Sequence, residues 1–186
     1  MLALPQGQVL KQVRLTPDLC AAGLKFVHPF LAGATQVDGH VSLDLQGAWI
    51  PLGDTKTTQA AGKMQIHRVE ISGGPLLGDV LPAILMLQPQ KVPLLPEVEF
   101  WVRDGRVYHR GVGVQLRETT VSTTGSVGFD ETLDIVAEMT VPEKWLGQNV
   151  LGTALKNQII KVPIRGTLTR PQIDAQQLAK LRAEFV

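Results

Sequence analysis

The chain has 186 residues, 44% of them hydrophobic and 19% charged, with 18 Lys and Arg against 17 Asp and Glu. That length suits one domain, which buries roughly 70% of its unfolded surface and needs neither disulfides nor metal to form a core. The balanced charge gives no field to attract nucleic acid or anionic lipid, the apolar content excludes disorder, and a lone Cys20 excludes an internal disulfide.

The first ten residues lack the basic start and apolar run of a signal peptide. The most apolar stretch, residues 80–87, falls far short of the ~20 residues that span a bilayer. Two expectations follow: a cytosolic protein, or a soluble C-terminal fragment of a longer chain whose N-terminus carried the address. Thr16 as N-cap, Pro17 at the first helical position and Asp18 after it open a helix carrying Leu19, Ala22, Phe26 and Val27, which Pro29 ends. Cys20 reads as a small buried hydrophobe, because no partner for thiol chemistry stands at motif spacing.

From Val37 the apolar residues fall on odd positions (Val37, Val41, Leu43, Leu45, Trp49) and polar ones on even positions, the pattern of a half-buried strand. Met64 and Ile66 repeat it, then the phase slips to Val69 and Ile71, which predicts a bulge near His67–Arg68. Gly74–Pro75 opens a second helix with Leu77, Val80, Leu81, Ile84 and Leu85, in which Pro82 predicts a kink or two short turns. The Pro-rich residues 88–96 read as an extended connector.

Val98, Phe100 and Val102 run up to Asp104–Gly105, a type I′ hairpin signal. The return strand is expected to place Tyr108, Val112, Val114 and Leu116 on one face. Further strands carry Val121, Gly125, Val127 and Phe129; then Leu133, Ile135, Ala137, Met139 and Val141; then Ile160, Val162, Ile164 and Leu168. Residues 142–158, with Trp145, Leu146, Val150, Leu151 and Leu155, allow a short amphipathic helix. Asp174 caps a last helix with Leu178, Leu181 and Phe185 on one side. Short links and matched lengths give a fold class of α+β: an antiparallel meander whose apolar face is covered by two to four helices. The expected organisation is one domain over 1–186, with a helix–strand half (1–88), a meander half (98–174) and a terminal helix (175–186).

Chemistry-bearing motifs are absent. His28, His40, His67 and His109 have no metal-ligand spacing. His40 and His109 fall on polar strand phases, where a solvated imidazole is expected, and His28 is expected to end a helix near its last carbonyls. No G-x-S-x-G elbow or Walker loop occurs, and Gly111-Val112-Gly113-Val114 reads as a strand in which another backbone packs close. Carboxylates sit in turns or on polar phases. No catalytic, cofactor or metal residue is assigned. The one concentration of positive charge is Arg103, Arg106, His109 and Arg110 around the hairpin, a candidate patch for an anion or a protein partner. With one Tyr and 5% aromatics, no base-stacking platform for nucleic acid is expected.

The run Phe100-Trp101-Val102-Arg103-Asp104-Gly105-Arg106-Val107, the strand to Leu116, Thr124-Gly125-Ser126-Val127-Gly128-Phe129-Asp130-Glu131-Thr132-Leu133-Asp134-Ile135, and Val162-Pro163-Ile164-Arg165-Gly166-Thr167-Leu168 through Pro171-Gln172-Ile173-Asp174 occur in a telling order. Together they resemble the C-terminal region of AsmA-like proteins, over residues 98–174. The resemblance implies a piece of a large bacterial envelope protein, tethered to the inner membrane and β-rich in the periplasm. It further implies a part in outer-membrane biogenesis or intermembrane lipid transport, phospholipid or other envelope proteins as partners, and no catalytic site. The first half departs from that pattern. An apolar sheet face is either sealed by helices or left open as a trough for acyl chains. A soluble protein-interaction module without lipid is the alternative, and a hydrolase requires a cleft holding a strongly shifted carboxylate or histidine.

Overall fold

The computed structural model describes residues 2–85, 91–116, 119–140 and 158–185, and its strands join in one antiparallel sheet. In chain order these are β1 (Leu2–Leu4), β2 (Gly7–Arg14), β3 (Ala34–Ile50), β4 (Gln59–Gly73), β5 (Val92–Pro93), β6 (Glu97–Arg103), β7 (Arg106–Gln115), β8 (Thr120–Gly128), β9 (Leu133–Thr140), β10 (Ile159–Gly166) and β11 (Pro171–Ile173). The sheet order is β1-β3-β4-β6-β7-β8-β9-β10-β11, with β2 also on β3 and β5 also on β4. Each long strand therefore lies beside its neighbour in sequence, and the class is α+β with a meander, as predicted.

Among the described residues, three segments of α- or π-helix accompany the sheet. The first, α1, passes through Pro17–Leu19, a π-turn at Cys20–Leu24, and Lys25–Val27. Thr16 caps it as expected, its Oγ1 accepting the Leu19 N–H at 3.2 Å. A 3-10 turn at Pro29–Leu31 follows. The second, α2, joins a π-turn at Leu76–Val80 to an α-turn at Leu81–Leu85, so the Pro82 region resolves into two short turns. The third, α3 (Ala175–Phe185), is capped by Asp174, whose Oδ1 accepts Gln176 N–H at 2.8 Å. The candidate helix at 142–158 and Val141 lie outside the described residues up to residue 157, as do the side chains of Leu178, Leu181 and Phe185.

The apolar residues of α1, α2 and the Pro29–Leu31 turn merge with those of β3 to β10 in one core, which includes Leu24, Leu31, Leu77, Leu81, Met64, Val98, Val121, Ile135 and Ile164. Each such side chain contributes about 1.5–3 kcal/mol on burial. The Leu76–Val80 turn touches both β4 and β11. Those strands stand six places apart in the sheet, about 29 Å if it were flat at ~4.8 Å per strand. The sheet must therefore curl around α2. Residues 92–95 do not stand clear of the fold as a spacer: Leu94 N–H bonds Val69 O and Leu95 N–H bonds Gly113 O, which knits both halves into the same sheet.

Bulges decide which residues face the core. The predicted one exists: Asp38 pairs Glu70 and His40 pairs His67, which leaves Arg68 and Val69 opposite Gly39, with Arg68 at φ 52°. Two others change the expected phase. A register shift between Leu45 and Gly47 turns Trp49 to the outer face, opposite Gln59, and not inward with Leu45. In β7 a shift between His109 and Val112 at Gly111 (φ 86°) separates two phases. Before it Val107 and His109 face the core and Tyr108 faces out; after it Val112 and Val114 are buried. One glycine thus moves Tyr108 off the face assigned from alternation and puts His109 onto it. Residues 2–14, with no alternation, form the divided edge β1–β2, in which most side chains are exposed.

Candidate functional site

The Asp104–Gly105 hairpin forms as predicted, with φ of 53° and 70°. Around it Arg103, Arg106 and Arg110 alternate on the outer face, each with partners of its own. Arg106 donates from Nε to Ser126 Oγ (2.8 Å), from Nη1 to Thr132 Oγ1 (2.9 Å), and from Nη2 to the carbonyls of Ser126 and Thr132, which ties β7 to the β8–β9 turn. Arg110 pairs with Glu99, which also meets Lys63 at 3.0 Å. That carboxyl is held below its usual range by the hydrogen bonds from Arg110 and Lys63. Arg103 lies over the Tyr108 ring at 5.5 Å and beside Asp104 at 3.3 Å. His109 does not join them at all, being 1% exposed on the opposite face. The expected four-residue cationic patch is a set of cross-strand ties and one buried ring.

His109 is half of a second feature. Its Nε2 lies 3.3 Å from Thr123 Oγ1, while its Nδ1 has no hydrogen-bond partner. His28 does end α1, but its ring is fully buried and neither nitrogen is bonded, so it makes no polar contact with the last helical carbonyls. Burial lowers His28 to about 3, helped by the nearby His109, and burial lowers His109 to about 4. These are strongly shifted imidazoles enclosed in a core, His28 0% and His109 1% exposed. Cys20 is buried as expected, and burial pushes its thiol up to about 11.

Two depressions on the outer face are lined by described residues. One, of about 560 Å³, lies among Gly47, Ala61, Trp49 and Trp101, with Trp101 stacked on Tyr108 at 5.7 Å. Two of the three Trp residues and the one Tyr are thus gathered on this face by register, a grouping that their spacing in sequence does not reveal. The other depression, of about 700 Å³, lies where three strand irregularities meet: Gln12 (φ 46°) in β2, Gly39 in β3 and Arg68 in β4. Asp38, His40 and His67 also line it. Ser42 Oγ sits 2.9 Å from His67 Nε2 and accepts the Gln12 N–H at 3.0 Å.

A serine hydroxyl on an imidazole is the start of a nucleophile–base pair. Ser42, however, is 2% exposed, and no described group bonds His67 Nδ1 to complete a relay. The contact pins the β2 bulge to β3. Sequence reasoning foresaw the irregularity at His67–Arg68 and the outward phase of His40. It missed their meeting with Ser42, which follows only from the β3–β4 register. Among the described residues no group of three or more His, Cys, Asp or Glu side chains is arranged to hold a metal ion, and no helix is long and apolar enough to cross a membrane. No protein-family model, curated protein or solved structure matches the chain.

Proposed function

We propose that this chain is a non-catalytic periplasmic module of an AsmA-like envelope protein, contributing to outer-membrane biogenesis as a packed structural or partner-binding unit. The reading draws its family from the ordered strand and turn motifs of residues 98–174. The observation that carries it is the cover over the apolar face: α1, α2 and the Pro29–Leu31 turn share one core with the sheet, in which Met64, Val98, Val121 and Ile135 are wholly buried. An acyl chain needs an apolar channel of its own width, and among the described residues that space is filled by aliphatic side chains. Lipid transport then belongs to the parent assembly, with this module bracing it or joining it to other envelope proteins.

Purified from bacteria and extracted for mass spectrometry, the chain is expected to carry no phospholipid in molar proportion. In affinity capture from envelope extract it is expected to retain a specific protein. Stoichiometric phospholipid would return the trough reading, and loss of both lipid and partner would overturn the envelope role.

A further inference from the structure

We propose that His40 and His67 form a two-imidazole site for a divalent transition-metal ion on the outer face of the sheet. The two residues stand directly opposite each other on β3 and β4, beside the bulge and at the wall of the 700 Å³ depression. Opposed side chains on antiparallel strands share a face, with Cβ atoms ~4.5–5.5 Å apart. Two nitrogens bound to one ion at ~2.0–2.1 Å lie about 3.3 Å apart in tetrahedral geometry, a separation that two imidazoles reach from that spacing.

The surroundings of the pair are those of a ligand set. Metal-bound histidines hold their second ring nitrogen on a fixed partner, which sets tautomer and ring orientation. Ser42 Oγ, buried and anchored by Gln12 N–H, stands in that position at 2.9 Å from His67 Nε2. With Nε2–H donating to Ser42, Nδ1 is the nitrogen left for a metal, and Ser42 Oγ accepts both bonds on its two lone pairs. His40 is exposed and makes no hydrogen bond or ion pair with any described residue, so its ring is free to close on the ion.

Asp38 and Arg68 on the walls carry opposite charges, so the imidazoles and not a general field set the preference. Imidazole suits Zn²⁺, Ni²⁺ and Cu²⁺, whereas Mg²⁺ requires oxygen ligands. The remaining coordination positions fall to water or to a donor from a partner.

The test is calorimetric titration of the EDTA-washed full chain with Zn²⁺, Ni²⁺ and Cu²⁺, with Mg²⁺ as control. One equivalent is expected to bind for each transition ion and none for Mg²⁺. His40→Ala and His67→Gln are each expected to weaken binding about tenfold or more. Glutamine keeps a hydrogen bond within reach of Ser42, so loss in that variant reports a lost ligand and not a lost bulge; metal-free circular dichroism checks both folds. The absence of saturable binding, equal binding of Mg²⁺, or unchanged binding in either variant would overturn the proposal.

Discussion

Lowering the pH from 7 to 5 removes stability through two histidines that the folded chain cannot protonate. Burial holds His28 at about 3 and His109 at about 4, against 6.5 for a solvated imidazole. At pH 5 the folded state keeps both rings neutral while the unfolded state protonates both. Each ring then favours unfolding by about 2 kcal/mol, or about 4 kcal/mol together. Because the folded values are depressed, this stability is fully present above pH 6.5 and is lost as pH falls towards 4 and then 3. For a chain of this length the loss corresponds to a melting temperature roughly 8–16 °C lower at pH 5. Carboxylates titrate mostly below this window, so the slope belongs to imidazoles.

Thermal and urea melts followed by circular dichroism measure it directly. The variant His28→Phe, placed beside Phe30, removes two unbonded buried nitrogens and is expected to halve the pH slope while holding or raising stability at pH 7. Equal midpoints at pH 7 and 5, or an unchanged slope in His28→Phe, would refute the assignment of these rings to the dry core.

Other outcomes follow from the same packing. Gly105→Val should cost about 1–3 kcal/mol in a urea melt, from backbone strain at φ 70° alone, since an added Cβ finds only Lys56 at 3.4 Å. Gly111→Val should cost more, because its Cβ would stand 2.7 Å from the Glu97 carbonyl oxygen as well. Val127→Asp and Thr123→Asp should both abolish the cooperative melt, as each site is 0% exposed, whereas Thr124→Asp on the exposed face should leave it intact. Arg106→Ala should lower stability by about 2 kcal/mol by stripping four hydrogen bonds from the β8–β9 turn, while Arg110→Ala should leave the melt in place. Cys20, buried and held mostly as the thiol, should react with a disulfide reagent at pH 8 only after denaturant unfolds the chain.

Much of this architecture is legible before any coordinates, for local reasons. Alternation marks β3, β4, β9 and β10 because one face of each meets the core. Thr16, Asp174 and Asp104–Gly105 mark ends and turns because caps and positive φ demand particular residues. The edge β1–β2 escaped that reading because a strand exposed on most of its side chains has no period to detect. The candidate sites fared worse. Alternation put His109 in water with three arginines, and a single extra residue at Gly111 moved it inside.

The sequence by itself therefore determined the α+β class, the order of the strands and the side chains able to fill a core, since these depend on neighbours a few residues away. Tertiary structure alone decided that α1 and α2 share one core with the sheet, that Arg106 bonds the β8–β9 turn and Arg110 pairs with Glu99, and that His40 faces His67 while His28 approaches His109. The physical reason is register: one inserted residue reverses every side chain beyond it, and only the pairing of whole strands fixes where the insertion falls.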